Sequence, residues 1–388
     1  MAAPAWGTLA SLGFASPEAT LLTEAELTQL FSGMQTVGAD RVRISVYWQL
    51  LEPVKGSYVF TSSGSNYPGA SLDQAVNMAV SYGLTPLLCL LAQPGLPMWS
   101  YTAGDYGAAM AALATRYPTV SEFEVWNEPN GDFWPGGPNP AQYTTFLNAA
   151  YDAVKAVQPN STILVGGLAA FPQGVYPASI DPVTFLYNIY AAGGGDYFDA
   201  VANHPYAITG AFVEELPVPT EHYLQVDQML YATMQAANDG HKQVYWTEWG
   251  FSTLVITEAQ QASWLAEQWT AWTAQPWHRN AYLFGFHDLD SNTSDPNNGF
   301  GITNFDFTPK PSYAWVQSIN SEDTLTPEQA ALLAQIAEDV KQIRLQLGPS
   351  LPTWPSLGTN AAGEELTLRD AFGVMKTDVE AVKAKLIP

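Results

Sequence analysis

The chain is organised around the stretch Phe-Glu-Val-Trp-Asn-Glu-Pro at residues 123–129. Val125 and Trp126 suit the interior of a buried β-strand. The polar and turn-forming residues that follow end this strand, so Glu128 is predicted to lie at its carboxyl end. In a barrel of parallel strands, a carboxylate at that position is typical of catalysis rather than of stability. The stretch therefore predicts an enzyme with an α/β barrel in which Glu128 acts.

A second stretch repeats this design further along the chain. It reads Val-Tyr-Trp-Thr-Glu-Trp-Gly at residues 244–250, where an aromatic strand again runs into a glutamate, Glu248, and then a glycine. Two glutamates at two strand ends are what a retaining glycosidase requires, because one serves as acid and base and the other as nucleophile. The two stretches together therefore indicate a candidate catalytic pair, Glu128 and Glu248.

The order Trp-Asn-Glu-Pro and then Thr-Glu-Trp-Gly resembles the large clan of retaining glycoside hydrolases built on the (β/α)8 barrel. It is most similar to family 39 and to the family 5-like, cellulase-type enzymes, and it covers about residues 8–316. The resemblance implies that Glu128 ends strand four as the acid/base and that Glu248 ends strand seven as the nucleophile. It also implies that Asn127 holds the 2-hydroxyl group of the substrate.

Three further residues take roles from the same resemblance. Arg43, in a strand predicted over residues 41–48, would support the nucleophile from below, because an arginine inside a barrel requires a carboxylate partner. His204 and Tyr206, which follow predicted strand six, would line the site, and the tyrosine would hydrogen-bond the nucleophile. The alternatives are a surface position at the strand's start for Arg43 and a structural role at a strand end for His204.

Aromatic side chains in loops on the catalytic face are predicted to carry specificity. Trp99, Trp134 and Trp249 are the candidate sugar platforms, and core packing is their alternative role. Strand eight is predicted over residues 282–286 and is followed by His287, a candidate substrate contact. Many members of the clan have a tryptophan there, so this departure leaves the type of sugar open.

The composition bounds the kinds of partner and cofactor. The net charge of −23 argues against binding to nucleic acid or to an anionic membrane. The single cysteine, Cys89, lies in an apolar run and is predicted to be buried, so it forms no disulfide within the chain. The sequence contains no Cys/His cluster of the kind that binds zinc, and the retaining mechanism needs no cofactor. We therefore predict neither a metal nor a cofactor.

The targeting signals leave the localisation open. The first six residues, Met-Ala-Ala-Pro-Ala-Trp, lack the basic and long apolar segments of a signal peptide. No apolar run approaches the length of about 20 residues that a membrane helix needs. Action outside a cell would therefore require another export route, or a signal already removed.

Residues 321–388 differ in kind from the rest of the chain. Apolar residues step by three and four over 333–347 and again over 368–386, as at the a and d positions of heptads. The segment 348–363 between them is rich in Pro, Gly and Ser and is predicted to be a linker. We therefore predict a (β/α)8 TIM barrel over 1–320 and an α-helical heptad tail over 321–388. The tail helices either pack on the barrel or assemble with copies of themselves, with a trimer favoured.

These features predict a retaining glycosidase that hydrolyses a polysaccharide, or a cell-surface or cell-wall glycan, by double displacement. A second hypothesis is a non-catalytic glycan-binding barrel, against which the intact Glu128, Glu248 and Arg43 argue. A third is a structural or virion-associated component of a phage tail, in which the barrel is the head and the heptad tail is an oligomerising stalk. The sugar, the linkage and the choice between endo and exo action stay open.

Overall fold

The computed structural model describes residues 11–61, 69–92, 101–170, 179–206 and 220–322. The chain divides into two units, Met1–Glu322 and Asp323–Pro388, and every described residue belongs to the first. Two predictions lie outside the described residues: the tail helices and the platform Trp99.

Eight parallel strands follow one another around a closed barrel, and the last strand returns to pair with the first. The strands are β1 Ser11–Ser16, β2 Arg41–Tyr47, β3 Thr85–Leu91, β4 Glu122–Asn127, β5 Thr162–Ala169, β6 Ala200–His204, β7 Gln243–Trp249 and β8 His278–Phe284. The predicted (β/α)8 barrel is therefore confirmed. Since the strands are parallel, their carboxyl ends all meet at one face, which we call the mouth of the barrel.

Helices surround the barrel, and several begin with the same side-chain cap. They are α1 Glu24–Thr36, α2 Trp48–Leu51, α3 Leu72–Ser81, α4 Ala103–Arg116, α5 Pro140–Val157, α6 Pro182–Ala191, α7 Thr220–Ala236, α8 Glu258–Thr273 and α9 Pro311–Glu322. Thr23 and Glu26 form a capping box at the start of α1, and α3, α4 and α8 begin in the same way. Among these described helices, none combines the length and the apolar character needed to cross a membrane.

The apolar side chains form two cores, one between the strands and the helices and a smaller one inside the barrel. Strand alternation separates them. In β2, Val42 and Ile44 belong to the outer core, while Arg43, between them in sequence, is buried on the inner side. The predicted burial of Cys89 is confirmed, and the residue belongs to the inner core. The barrel interior is thus a packed layer with charged groups in it.

The floor of the barrel is closed by polar side chains around Glu122, at the start of β4. Its Oε1 accepts hydrogen bonds from the Tyr245 hydroxyl at 3.2 Å and from Nδ2 of Asn280 at 3.3 Å. Its Oε2 accepts from Nη1 of Arg41 and from the Tyr282 hydroxyl, both at 3.2 Å. We call these five residues the Glu122 cluster. Each oxygen of the buried carboxylate has two donors, so the cluster is a satisfied structural layer.

The Glu122 cluster also explains why strand eight begins and ends earlier than predicted. The strand runs over His278–Phe284, several residues earlier than the predicted 282–286. Its first residues are polar, which gave no strand signal in the sequence. They are tolerated inside the barrel because Asn280 bonds to Glu122 and to the hydroxyl of Ser11.

Candidate active site

The chain leaves β4 through an unusual backbone bend. Trp126 and Glu128 both lie in the left-handed region, with φ of 73° and 46°. Such a conformation costs about 1–3 kcal/mol for a residue other than glycine and persists where the surrounding structure imposes it. The bend brings Glu128 to the mouth of the barrel immediately after a fully buried strand.

Two glycines of β5 make room for this bend. A Cβ at Gly166 would lie 2.4 Å from the carbonyl oxygen of Val125, and a Cβ at Gly167 would lie 1.9 Å from Nε2 of His204. The backbone N–H of Glu128 donates to the carbonyl of Gly167 at 3.0 Å. A larger residue at either position would therefore displace the β4 backbone or the histidine.

Glu248 ends β7 with a donor on each carboxylate oxygen. Its Oε1 accepts a hydrogen bond from Nη1 of Arg43 at 2.7 Å, and its Oε2 accepts from the hydroxyl of Tyr206 at 3.0 Å. The predicted contact between Arg43 and Glu248 is therefore confirmed. These two donors, one of them a cation, fix the plane of the carboxylate.

His204 lies between the two candidate catalytic glutamates. Its Nδ1 is 3.0 Å from Oε1 of Glu128 and 3.7 Å from Oε2 of Glu248. One oxygen of each carboxylate and one ring nitrogen lie within 4.8 Å of one another. The prediction that His204 and Tyr206 border one cleft with the two glutamates is thus confirmed as geometry.

Arg43 is the buried centre of the site. The residue is only 1% exposed, which excludes the alternative of a surface position. Besides Glu248, its guanidinium donates to Oε2 of Glu124 at 2.5 Å, to Oδ1 of Asn127 at 2.7 Å and to Sγ of Cys89 at 3.3 Å. Breaking a buried ion pair by removing one partner costs about 3–5 kcal/mol, so Arg43 couples the site to the stability of the barrel.

Sequence reasoning missed Glu124, which is fully buried beneath the catalytic pair. Its Oε1 accepts a hydrogen bond from the hydroxyl of Thr247 at 2.7 Å, and Oε2 accepts from Arg43. A signal was present in the sequence. Side chains two residues apart in a strand point to the same face, so Glu124 points inward with Glu122. Arg43 points inward with Arg41 for the same reason, and the two acids and two arginines therefore had to meet inside the barrel.

A chain of hydrogen bonds fixes the protons of His204. Nε2 lies 3.0 Å from Oγ1 of Thr247, and that hydroxyl lies 2.7 Å from Oε1 of Glu124. Because a carboxylate only accepts, the Thr247 hydroxyl donates to Glu124 and accepts from Nε2–H. Nδ1 is therefore the ring nitrogen that can exchange a proton with Glu128.

The surrounding carboxylates alter the acidity of His204, which ends β6, and of Tyr206, which follows it. Burial opposes a charge on His204, but the carboxylates of Glu248 and Glu128 outweigh it and raise the pKa of the imidazole above 6.5. Burial and the same two carboxylates raise the pKa of Tyr206. Tyr206 therefore stays protonated as a donor to Glu248, while His204 is readily charged.

Two of the predicted sugar platforms are corrected by their burial. Trp134 is 2% exposed, and its ring centroid lies 4.9 Å from that of Trp126. Trp249 is fully buried, and its ring lies 5.3 Å from that of Trp246. Trp134 follows β4 and Trp249 ends β7, and both belong to the outer core, so their rings pack inward instead of facing a sugar.

His287 lies at another part of the mouth, after β8. It is 4% exposed and stacks on Phe307 with a centroid distance of 4.6 Å. Its Nε2 lies 3.6 Å from Oε1 of Glu18, in the loop after β1. The structure therefore groups His287 with a glutamate that sequence reasoning did not single out.

The site also offers a set of groups with the geometry of metal ligands. Among the described residues, that set consists of Glu128, His204 and Glu248. The Arg43 guanidinium is already bonded to Glu248, so a metal ion would have to bind against a neighbouring positive charge. The donor set therefore fits a shared proton better than a metal.

The barrel resembles known proteins in sequence pattern and in fold. The model of the cellulase family, glycosyl hydrolase family 5, matches residues 11–280. A family 39 glycoside hydrolase from the gut symbiont Bacteroides cellulosilyticus WH2 superposes with a TM-score of 0.61 at 23% identity, covering 80% of this chain and 63% of that one.

Two further solved structures share the fold. A GH5_18 structure from Streptomyces cattleya, in complex with Manβ1-4GlcNAc, has a TM-score of 0.65 at 15% identity and covers 82% of each chain. A monomeric β-xylosidase from Caulobacter crescentus CB15 has a TM-score of 0.61 at 19% identity, covering 80% of this chain and 68% of that one. Structural likeness at these identities shows the fold alone.

The tail matches a different protein. The model of the Rv3766 C-terminal domain matches residues 325–382. Over 58 residues the chain is 43% identical to the uncharacterized protein Rv3766 of Mycobacterium tuberculosis (strain ATCC 25618 / H37Rv), which is 15% of this chain and 20% of that protein. The match to this relative therefore spans a fifth of its length.

Proposed function

This chain belongs to the cellulase family, glycosyl hydrolase family 5, and we propose that it cleaves a polysaccharide, or a cell-surface or cell-wall glycan, with retention of anomeric configuration. It is a glycoside hydrolase; the stereochemistry and the residue roles are the proposal. The observation that carries it is the approach of Glu128 and Glu248: one carboxylate oxygen of each lies within 4.8 Å of the other. Retaining enzymes hold the two carboxyl groups about 5–5.5 Å apart, and inverting enzymes hold them about 6.5–9.5 Å apart.

In the first step Glu248 attacks the anomeric carbon of the sugar. The bond from that carbon to the leaving oxygen breaks as the bond to the Glu248 oxygen forms, and Glu128 gives its proton to the leaving oxygen. Arg43 and Tyr206 hold Glu248 ionised and in a fixed plane for the attack. The products of this step are the free leaving group, a glycosyl ester on Glu248 and an ionised Glu128.

In the second step a water molecule releases the sugar. Glu128 takes a proton from the water as the water oxygen bonds to the anomeric carbon, and the bond to Glu248 breaks. Glu128 ends protonated and Glu248 ends ionised, so the cycle closes. In this proposal the resting site holds one proton shared between Glu128 and Nδ1 of His204, which are 3.0 Å apart.

Asn127 completes the proposed site from beside the acid. Its Oδ1 accepts a hydrogen bond from Arg43 at 2.7 Å, which fixes the amide plane. The amide NH2 group then serves as a donor in a set direction. We assign it to the 2-hydroxyl group of the sugar bound at Glu248, where a hydrogen bond strengthens as the transition state forms.

The test combines substrate release with stereochemistry. Release of reducing ends is measured on a panel of β-glucans, mannans, xylans and bacterial wall arabinogalactan, and proton NMR identifies the first anomer formed. Glu128→Gln and Glu248→Gln should each lower kcat by about 100-fold or more. Azide should partly restore Glu248→Gly on an activated aryl glycoside, because a small anion replaces the missing nucleophile.

The matched control for this test is Glu122→Gln, which changes a buried glutamate of the same strand outside the site. It should keep nearly full activity once folding is verified by circular dichroism. Near-normal turnover by Glu128→Gln or Glu248→Gln would contradict the assignment. Binding of a glycan without release of reducing ends would favour the alternative, a non-catalytic glycan-binding barrel.

For the tail we propose helices over 327–347 and 366–386, the second of which assembles with copies of itself. The support is the heptad spacing of Leu368, Phe372, Met375 and Val379, and the separate family match of 325–382, which indicates an independent module. A trimer would hide more of each apolar stripe than a dimer, and it would suit the stalk of a phage-tail or virion component.

Light scattering tests this proposal for the tail. The full-length chain should have about three times the mass of one chain, and deletion of residues 364–388 should reduce the assembly to monomers. A full-length monomer at micromolar concentration would overturn both the stalk and the virion interpretation.

A further inference from the structure

Two buried side chains without hydrogen-bond partners meet where β8 and β1 reach the mouth. Within the described residues, both carboxylate oxygens of Glu18 and both ring nitrogens of His287 are buried and unpartnered. Nε2 of His287 lies 3.6 Å from Oε1 of Glu18, which is too long for a hydrogen bond. Buried polar groups are normally paired, since each unmade bond costs about 1–3 kcal/mol. Four such atoms in one place point to a ligand that supplies their partners.

Tyr47 connects this pair to the catalytic carboxylates. It ends β2, and its hydroxyl donates to the carbonyl of Pro17 at 3.3 Å, next to Glu18 in the chain. Burial, and then the negative charges of Glu18 and Glu248, raise the pKa of Tyr47 to about 12. Tyr47 therefore lies close enough to both Glu18 and Glu248 for each carboxylate to act on its phenol.

An exposed aromatic ring lies beside the pair. Phe305 is 49% exposed, and its centroid lies 6.4 Å from that of His287. Phe307, two residues further on, stacks on the imidazole with a centroid distance of 4.6 Å. Sugar sites combine an aromatic face, which takes the apolar face of the ring, with a few convergent polar groups. The surroundings of His287 provide both.

The position of Glu18 and His287 in the barrel indicates which side of the scissile bond they would contact. In the strand order, β8 and β1 lie opposite β4, which delivers Glu128. In the mechanism proposed above, Glu128 faces the leaving group, so the sugar that stays on Glu248 extends away from it. A chain of sugars on that retained side would run toward β8 and β1.

We propose that Glu18 and His287, with Phe305 as a platform, form a further sugar subsite that binds two neighbouring hydroxyl groups of a neutral sugar unit on the retained side of the bond. The direction of the chain rests on the proposed function, whereas the binding itself does not. The enzyme would then prefer an oligosaccharide or polysaccharide to a single glycoside.

A neutral diol fits the pair better than a charged sugar does. Burial raises the pKa of Glu18 to about 7 and lowers the pKa of His287, so the site favours the uncharged form of both. A protonated carboxyl group donates one hydrogen bond and accepts another, and a neutral imidazole does the same. Two adjacent hydroxyl groups, each a donor and an acceptor, satisfy all four atoms.

The kinetic test compares substrates of two lengths. The probes are 4-nitrophenyl β-glucoside, β-mannoside and β-xyloside and the matching 4-nitrophenyl cellobioside, mannobioside and xylobioside. On the disaccharide that the wild type cleaves fastest, Glu18→Leu and His287→Leu should each lower kcat/KM by about 10- to 100-fold. On the matching monosaccharide the change should stay below about threefold. Thr20→Val, which removes another buried unpartnered hydroxyl of the same loop, is the matched control and should change neither value.

A binding test separates this proposal from the chemistry. Cellotriose, mannotriose and xylotriose are titrated calorimetrically into Glu128→Gln protein with and without Glu18→Leu. Weaker binding in the double variant supports the subsite, even if no glycan is hydrolysed and the proposed function fails. Equal binding, or an equal kinetic loss on both substrate lengths, overturns the subsite while leaving the two-glutamate mechanism intact; the pair then binds an ordered water only.

Discussion

The two sides of the barrel mouth hold buried glutamates in opposite ways. On the side of β4 and β7, each oxygen of Glu248 accepts a hydrogen bond, one from Arg43 and one from Tyr206. On the side of β8 and β1, neither oxygen of Glu18 has a partner among the described residues. The first carboxyl group is held by a cation and a phenol, whereas burial raises the pKa of the second to about 7 and favours its neutral form.

This contrast shows that burial alone does not assign a role to an acid. Glu18 follows β1 and Glu248 lies near the end of β7, and both are largely withdrawn from water. The neighbouring cation decides between an ion suited to attack a carbon atom and a neutral group suited to bind hydroxyl groups. Three changes test the contrast, starting with the one expected to have the largest effect.

Removing the cation should have the largest effect. Arg43→Met leaves Glu124 and Glu248 buried without their shared partner, so we expect the free energy of unfolding to fall by about 3–5 kcal/mol. We also expect kcat/KM to fall by about 100- to 1000-fold, because the nucleophile loses its charged donor. The measurements are urea denaturation and hydrolysis of an aryl glycoside.

Arg41→Met is the matched control, since it removes the corresponding arginine of the Glu122 cluster. Glu122 keeps the hydroxyl groups of Tyr245 and Tyr282 as donors. Activity should therefore fall less than about tenfold. If the two arginine variants lose activity equally, the hydrogen bonds of Arg43 have no special part in the reaction.

The carboxyl group of Glu18 should affect the pH dependence of stability. Folding raises the pKa of Glu18 from 4.5 to about 7, so the folded state binds this proton more tightly than the unfolded state. The contribution to the free energy of unfolding is fully present below pH 4.5 and is lost as the pH rises through about 7, by about 3 kcal/mol in all. Glu18→Gln, which does not titrate, should remove this slope.

Urea denaturation at a series of pH values from 4 to 8 measures the slope for the wild type, Glu18→Gln and the control Glu122→Gln. The control should keep the slope of the wild type. A Glu18→Gln protein with an unchanged slope would show that the carboxyl group is already ionised in the folded state, against the contrast drawn above.

The smallest effect is expected at Thr247, which links Glu124 to His204. Thr247→Val keeps the shape of the side chain and removes the acceptor for Nε2–H, so kcat/KM should fall by about 2- to 10-fold. The imidazolium loses a hydrogen-bond acceptor, so the raised pKa of His204 should fall and the alkaline limb of the pH–activity profile should move to lower pH.

Thr144→Val is the matched control for this change, because its hydroxyl bonds to a carbonyl within α5. It should leave the profile in place. An unmoved alkaline limb in Thr247→Val would mean that the proton of His204 plays no part in turnover.

The convergence of the site was predictable because of the topology. Parallel strands bring their carboxyl ends to one face, so glutamates after two strands and a histidine after a third had to meet there. The partner of Arg43 was predictable for a similar reason, since a charge inside a barrel requires a counter-charge. The bend at Trp126 was not predictable, because the space for it comes from Gly166 on another strand.

Other parts of the site depend on contacts that no local pattern encodes. The orientation of a tryptophan near a strand end depends on the side chains that it packs against, which is why Trp134 and Trp249 were placed wrongly. Glu18 belongs to no motif, and its distinguishing property is the lack of a partner for either oxygen. That property becomes visible only when distant segments such as the loop after β8 are placed beside it.

The single cysteine has a use that its place in the inner core makes available. Cys89 is fully buried in β3 with its sulfur 3.3 Å from the guanidinium of Arg43, and burial raises the pKa of the thiol well above its usual range. A thiol reagent therefore meets neither an exposed sulfur nor a thiolate until β3 separates from its neighbours. The rate of alkylation therefore measures how often the barrel opens. It reports the kinetic stability of the fold at the residue that contacts Arg43.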